Sequence, residues 1–161
     1  MKRIFLIAAI LCSSLMVLQS CSPKGATSSL KRGNVTGNWT LNDITFEGVS
    51  ESAVKSLFDE GPTSCFVGST WNLTNSGNGS YTLPGGTGCT AKTQTIFWSA
   101  TPADQTFQFK KIFEGDKAKD VTTGYRMVLS ATDGNNMVIK VPVDNGTSAA
   151  YAVLNFTKAA K

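Results

Sequence analysis

The side chains in this sequence that are best able to do chemistry are the adjacent carboxylates Asp59-Glu60 and the cysteines Cys12, Cys21, Cys65 and Cys89. Histidine is absent, which removes the commonest general base near neutral pH and the commonest metal ligand. Neighbouring carboxylates at a helix end diverge, so Asp59-Glu60 indicates a solvated helix end rather than an acid and base pair. No nucleophile beside a base, phosphate loop or metal-ligand cluster follows from the spacing. The sequence therefore predicts a protein that is not an enzyme and holds no metal or cofactor.

Cys21 ends an apolar leader. Two positive charges at Lys2 and Arg3 precede the stretch IFLIAAILCSSLMVL, a layout typical of a secretory signal and short for a membrane span. The leader closes with LQSC, residues 18–21, which resembles the lipobox of bacterial lipoproteins. In that family the cysteine thiol receives a diacylglyceryl group and the peptide is cut before it. The resemblance implies a signal peptide at residues 1–20 and lipidation at Cys21; the alternative is an ordinary signal peptide with a chance cysteine.

The segment after the cysteine, residues 21–36, is small, polar and interrupted by glycine and proline. This composition predicts a flexible tether between a lipid and a folded domain at residues 37–161. The segment lacks the acidic cluster that follows the cysteine in some surface-exported lipoproteins. We therefore expect a lipid-anchored protein of the bacterial cell envelope, held at the outer membrane and facing the periplasm, with the lipid as its membrane contact.

Cys65 and Cys89 remain once Cys12 is discarded with the leader and Cys21 is lipidated. Two remaining cysteines in an exported protein predict one disulfide. A zinc or redox site would need CxxC spacing or histidine partners, and the sequence has neither.

The charge of the domain argues against one class of partner. From Asn34 onward the chain carries 10 lysines and arginines against 11 aspartates and glutamates. Nucleic-acid binding needs a clustered basic face. We therefore expect no nucleic-acid partner.

Short apolar segments separated by turn residues make up the rest of the chain. The segment GNWTLNDITFEG alternates through Trp39 and Leu41 and then shifts phase at Asn42-Asp43, which predicts a β-bulge or a bend. SESAVKSLFDEG, from residue 50 to 61, has apolar residues on one helical face and predicts one short helix after the first strand. With the segments that follow, about eight strands at hairpin spacing predict an all-β fold, either an up-and-down antiparallel barrel or a sandwich.

The triplet Gly37-Asn38-Trp39 on the first strand resembles the G-x-W kernel of the lipocalins. In that family the glycine lets the chain turn in and the tryptophan covers the floor of an eight-stranded barrel. Together with the LQSC motif, the strand count and the single disulfide, the chain resembles the lipocalin-like lipoproteins of Bacteroidetes. The resemblance implies an eight-stranded up-and-down barrel, with Gly37 and Trp39 at its floor and Arg126 as the candidate for stacking on that tryptophan.

A set of aromatic residues could line such a barrel, and the candidate ligand-binding residues are Trp71, Tyr81, Trp98, Phe107 and Phe109. Phe97 and Trp98 are adjacent, so one of them must face outward. The leading hypothesis is that the barrel binds a small apolar molecule. The alternative is a closed barrel, filled by its own side chains, that serves as a structural or protein-interaction module. A cavity of several hundred Å³ would favour the first, and a packed centre with an exposed apolar patch the second.

Overall fold

A computed structural model gives the fold of the protein and describes residues 30–144, 146 and 149–160 of the 161. Cys21 and the leader lie outside the described residues. Eight antiparallel strands, paired in chain order, close into one barrel. Their bounds are β1 Gly37–Glu47, β2 Thr70–Leu73, β3 Asn78–Leu83, β4 Lys92–Thr101, β5 Thr106–Lys111, β6 Tyr125–Thr132, β7 Asn136–Val143 and β8 Ala150–Lys158. The predicted eight-stranded up-and-down barrel is confirmed.

Strand β1 closes the barrel because it is long enough to pair on both edges. Its first residues, Gly37–Thr40, pair with β2, and its residues from Trp39 to Glu47 pair with β8. The register with β8 shifts between Leu41 and Asp43, so Asn42 is the extra residue of a β-bulge. The predicted phase shift is confirmed: the bulge lets Leu41 and Ile44 both point inward with two residues between them.

Successive strands run in opposite directions, so their connections lie at two distinct ends of the barrel. The end we call the closed end holds the start of β1 and the tight turns after β2, β4 and β6. The end we call the mouth holds the longer connections at residues 48–69, 84–91 and 112–124, and the one that follows Val143. A short helix, α1 (Arg32–Val35), precedes β1 and covers the closed end, where Val35 is fully buried.

The helix predicted over residues 50–61 is wrong. The chain forms only a 3₁₀ turn at Glu51–Ala53, continues extended at Val54, and reverses between Leu57 and Gly61. Helices of this length are marginal without packing on one face. Here Leu57 and Phe58 are both buried in the mouth, and this burial outweighs the helical tendency of the segment.

The predicted tether also ends earlier than expected, because Leu30 packs partly against the core and residues 32–35 are helical. The reason is local: the carbonyl of Val35 accepts a 2.7 Å hydrogen bond from the indole of Trp39. The helix therefore lies before the first strand and belongs to the barrel.

Candidate functional site

Side chains from the strands, with Val35 of α1, fill the closed half of the barrel. Trp39, Trp98 and Phe107 are all essentially inaccessible to solvent, and the rings of Trp98 and Phe107 stack with centroids 5.8 Å apart. Phe97 faces the outer wall. Two of the predicted ligand-binding residues, Trp98 and Phe107, thus pack the core of the closed half. Leu129 and Met137 complete the packing there.

The predicted kernel lies at the closed end. Trp39 is fully buried, and the Nζ of Lys158 lies 5.2 Å from the centroid of its ring. Gly37 has a φ of 134°, and a side chain there would collide with Lys158. The expectation for Arg126 is wrong: it is exposed on the outer face of β6, beside Thr106. Outward-facing positions of β6 cannot reach the floor, so a lysine of β8 takes the place expected for an arginine.

The mouth half is filled differently, because a loop contributes its central side chain. The ring of Phe58 lies in the barrel and contacts four other rings edge to face, at centroid distances from 4.9 to 6.1 Å. Phe58 is only 4% exposed. These rings and Tyr81 form what we call the mouth cluster: Phe58, Phe66, Trp71, Tyr81, Phe109 and Tyr125. The other three predicted ligand-binding residues, Trp71, Tyr81 and Phe109, belong to this cluster.

Phe58 belongs to a tight loop, Leu57–Gly61, which we call the mouth loop. Its ends are joined by the hydrogen bond from the Leu57 amide to the Gly61 carbonyl, at 2.8 Å. Phe58 and Asp59 have φ values of 52° and 53°, in the left-handed region that bulky residues rarely adopt. The loop therefore holds Phe58 in the mouth at a cost in backbone strain.

Glu60 of the mouth loop is buried in an ion-pair network. Its carboxylate Oε1 lies 2.8 Å from the Tyr81 hydroxyl and 2.8 Å from the Lys111 Nζ, and its Oε2 contacts the Lys92 Nζ. The Glu60 side chain is 9% exposed and that of Lys111 is 12% exposed. Burial raises the pKa of Glu60, but the hydrogen bonds from Lys111, Lys92 and Tyr81 outweigh it and lower the pKa to about 2. Glu60 is therefore ionised at neutral pH.

The backbone of the mouth loop is held by the same wall of the barrel. The Lys111 Nζ donates to the Phe58 carbonyl, and the Tyr125 hydroxyl lies 2.9 Å from that carbonyl and 2.8 Å from the Asp59 carboxylate. Burial, together with the nearby carboxylates, raises the pKa of the Tyr81 and Tyr125 hydroxyls. Both tyrosines therefore act as neutral hydrogen-bond donors.

The sequence interpretation of Asp59-Glu60 as a solvated helix end missed this network. A signal for it exists in the sequence: Lys111 continues the inward alternation of Phe107 and Phe109, and Lys92 is in phase with the inward residues of β4. A lysine in an inward phase needs an acidic partner. The alternation does not say which loop supplies that partner.

The predicted disulfide between Cys65 and Cys89 is confirmed. It joins the connection at residues 48–69 to that at residues 84–91, next to the mouth loop. Phe66 follows Cys65 directly, so the bridge restrains the chain at this part of the mouth cluster.

Clefts flank the mouth loop on two sides. One, of about 420 Å³, is lined by Asp59, Lys111 and Tyr125 and by residues of the 112–124 connection, including Phe113, which is 60% exposed. Another, of about 360 Å³, lies between residues 53–58 and the end of β7. A third cleft, of about 360 Å³, lies on the outer wall over β4, β5 and β6. The first two lie directly beside the mouth loop.

Comparison with known proteins does not assign the chain to a family. No family model matches the chain, and the search of curated proteins gives no match. Among the residues that the structure describes, no helix is long and apolar enough to cross a membrane. The same part of the chain contains no group of three acidic or cysteine side chains placed to hold a metal ion.

Proposed function

We propose that the protein is a lipid-anchored lipoprotein of the cell envelope whose lipocalin-like barrel binds a small apolar molecule in the mouth cluster, where the Phe58 ring now lies. The observation that carries the proposal is the source of the side chains that fill the barrel. Residues of the strands and of α1 fill the closed half, whereas a strained loop supplies the central ring of the mouth half. A ligand that displaces the loop would meet Phe66, Trp71 and Phe109.

The energetics of displacement are within reach of a small ligand. Returning the Phe58 side chain to water costs about 2–3 kcal/mol, and breaking the ion pairs of Glu60 adds to this. Release of the left-handed backbone at Phe58 and Asp59 returns about 1–2 kcal/mol per residue. A ligand that binds the emptied mouth with a micromolar dissociation constant supplies about 8 kcal/mol against this cost. Burial of apolar ligand surface against the aromatic walls would supply most of that energy.

The proposed anchor is consistent with the direction of the barrel. The apolar leader ending in LQSC supports a lipid at Cys21, and the chain enters the barrel at the closed end through Leu30 and α1. Eight residues separate Cys21 from Leu30, so the two positions lie at most about 30 Å apart. A lipid there would hold the closed end near the bilayer and turn the mouth away from it, towards ligands in the periplasm.

A binding measurement on Phe58→Ala tests the proposed ligand site. Removing the ring empties the centre of the mouth cluster, so the full chain carrying Phe58→Ala should bind 3-phenylpropanol with a dissociation constant near or below about 1 mM. Isothermal titration calorimetry would measure it. Phe107→Ala is the matched control, because it removes an equal ring from the closed half, where no loop gives access. Absence of binding to Phe58→Ala, or equal binding to both variants, would contradict the proposal.

A second candidate function is the closed barrel as a protein-interaction module. The observation that favours it is the exposed ring of Phe113 beside the cleft of about 420 Å³ at the mouth. A photoreactive phenylalanine at position 113 should then crosslink to one defined protein in intact cells, whereas the same group at the outward-facing position 42 should not. Equal, diffuse crosslinking from both positions would count against this function.

A further inference from the structure

The mouth loop places two chemical groups in the barrel side by side. Phe58 contributes an aromatic ring to the mouth cluster. Glu60, two residues later, contributes a carboxylate that accepts from three donor side chains. The three donors are Lys92, Lys111 and Tyr81, and between them they engage both carboxylate oxygens. In chemical terms the loop occupies the mouth as an aryl group joined to a carboxylate.

We propose that the ligand of the mouth is an apolar carboxylate, with its ring or chain in the place of Phe58 and its carboxylate in the place of Glu60. This inference rests on the proposed function and specifies its ligand class. The loop acts as an internal occupant that such a molecule replaces group for group. The ligand would thus keep the polar contacts that the barrel already makes.

The two lysines favour an anionic ligand over an uncharged one. Each anionic group that the structure places against Lys92 or Lys111 belongs to the mouth loop. When the loop leaves, two cations remain at the mouth without an anionic partner, and Lys111 continues the inward phase of β5. An inward-facing cation without an anionic partner is unfavourable. An uncharged ligand would leave it in that state, whereas a carboxylate would restore the ion pairs.

The donor set fits a carboxylate in geometry as well as in charge. Oε1 of Glu60 receives the Tyr81 hydroxyl and the Lys111 ammonium, and Oε2 receives the Lys92 ammonium. A carboxylate has two acceptor oxygens in one plane, so it can accept charge-assisted hydrogen bonds from all three donors. The disulfide at Cys65 ties the chain next to Phe66 to the 84–91 connection, so the Phe66 wall of the site has a covalent support that does not depend on the mouth loop.

A reversal of preference between two probes tests the inference. 3-Phenylpropionate and 3-phenylpropanol share the aryl chain and differ in the charged group. In the full chain carrying Phe58→Ala, the Glu60 carboxylate is still present and should repel the acid, so the alcohol should bind more tightly. In Phe58→Ala/Glu60→Gln the acid should bind at least tenfold more tightly than the alcohol, as measured by calorimetry near pH 7.

Lysine variants locate the source of that preference. Adding Lys111→Met to the double variant should abolish the preference for the acid. Lys140→Met is the matched control, because Lys140 also pairs with a glutamate, Glu47, but on the outer face, and it should leave the preference unchanged. If Phe58→Ala/Glu60→Gln does not fold, Phe58→Val/Glu60→Gln, which keeps more buried surface, takes its place.

The outcomes separate the two proposals. Binding of both probes to the double variant within a factor of two overturns the carboxylate inference and leaves the apolar site standing. Binding of neither probe to either variant overturns the proposed function and, with it, this inference. A preference for the acid that survives Lys111→Met also overturns the inference, because the carboxylate would then lie elsewhere.

Discussion

Glu60 is the carboxylate with which both Lys92 and Lys111 form ion pairs at the barrel mouth. Its pKa is lowered to about 2 in the folded protein, against about 4.5 for the free group. A carboxyl with a depressed folded-state pKa adds stability that is complete above the unfolded value and is lost as the pH falls towards the folded value. The contribution of Glu60 is therefore present at neutral pH and disappears between about pH 4.5 and about pH 2.

Glu60→Gln should lower the free energy of unfolding by about 3 kcal/mol near neutral pH, because Lys92 and Lys111 lose their counter-ion. The difference from the unaltered protein should shrink as the pH falls to about 2, where Glu60 itself becomes protonated. Urea denaturation at several pH values would measure both effects.

Glu47→Gln is the control for that experiment. Glu47 pairs with Lys140, but its side chain is 49% exposed, so the change should stay below about 1 kcal/mol. A pH-independent loss of stability in Glu60→Gln would show that the carboxylate is not ionised in its site.

At the residue scale, alternation in the sequence predicts which side chains point inward but not what meets them. Trp39, Trp71 and Phe109 are all buried, as expected of inward positions. The partner of Lys111 comes from a loop 51 residues earlier in the chain. Its position depends on how Phe58 packs, and local periodicity contains no information about that.

Among the structural elements, the β-bulge has a local cause in the sequence, whereas the mouth loop depends on contacts with distant residues. The bulge at Asn42 was predictable, because a strand that keeps one face buried can shift its hydrophobic phase only by accommodating an extra residue. The mouth loop was not, because residues 50–61 carry helical spacing and only the tertiary environment decides against it. Burial of Leu57 and Phe58 in the mouth requires a reversal of the chain that a helix cannot make.

Deletion of Asn42 should leave the barrel folded. Removing the extra residue restores strict alternation, so Leu41, Ile44 and Phe46 keep their faces and the register with β8 becomes continuous. Deletion of Thr40 should unfold the protein, because Trp39 or Leu41 would then face outward. Circular dichroism and thermal melting of the two variants would compare them. Equal damage by both deletions would show that the bulge itself is required for closure.

At the scale of the whole molecule, hairpin spacing predicted about eight antiparallel strands in a barrel or a sandwich, and the resemblance to the lipocalins favoured the barrel. The barrel closes because β1 is long enough to pair with both β2 and β8. Whether the interior is open or filled could not be predicted, because it depends on volumes summed over many side chains.

The proposed anchor at Cys21 predicts an orientation for the whole molecule. Asp104 lies in the turn after β4 at the closed end, and Lys119 lies in the 112–124 connection at the mouth; both are exposed. A fluorophore attached through Asp104→Cys should be quenched more strongly by lipid-bound quenchers than one attached through Lys119→Cys. Equal quenching, or the reverse order, would contradict anchoring through the closed end.

The most direct test of the central claim is native mass spectrometry of the full chain purified from the membranes of the cells that produce it. We expect an added mass of a small molecule on part of the population, increased by Phe58→Ala and not by Phe107→Ala. A chain that carries only its own lipid, in the unaltered protein and in Phe58→Ala alike, would contradict the claim that the mouth is a ligand site.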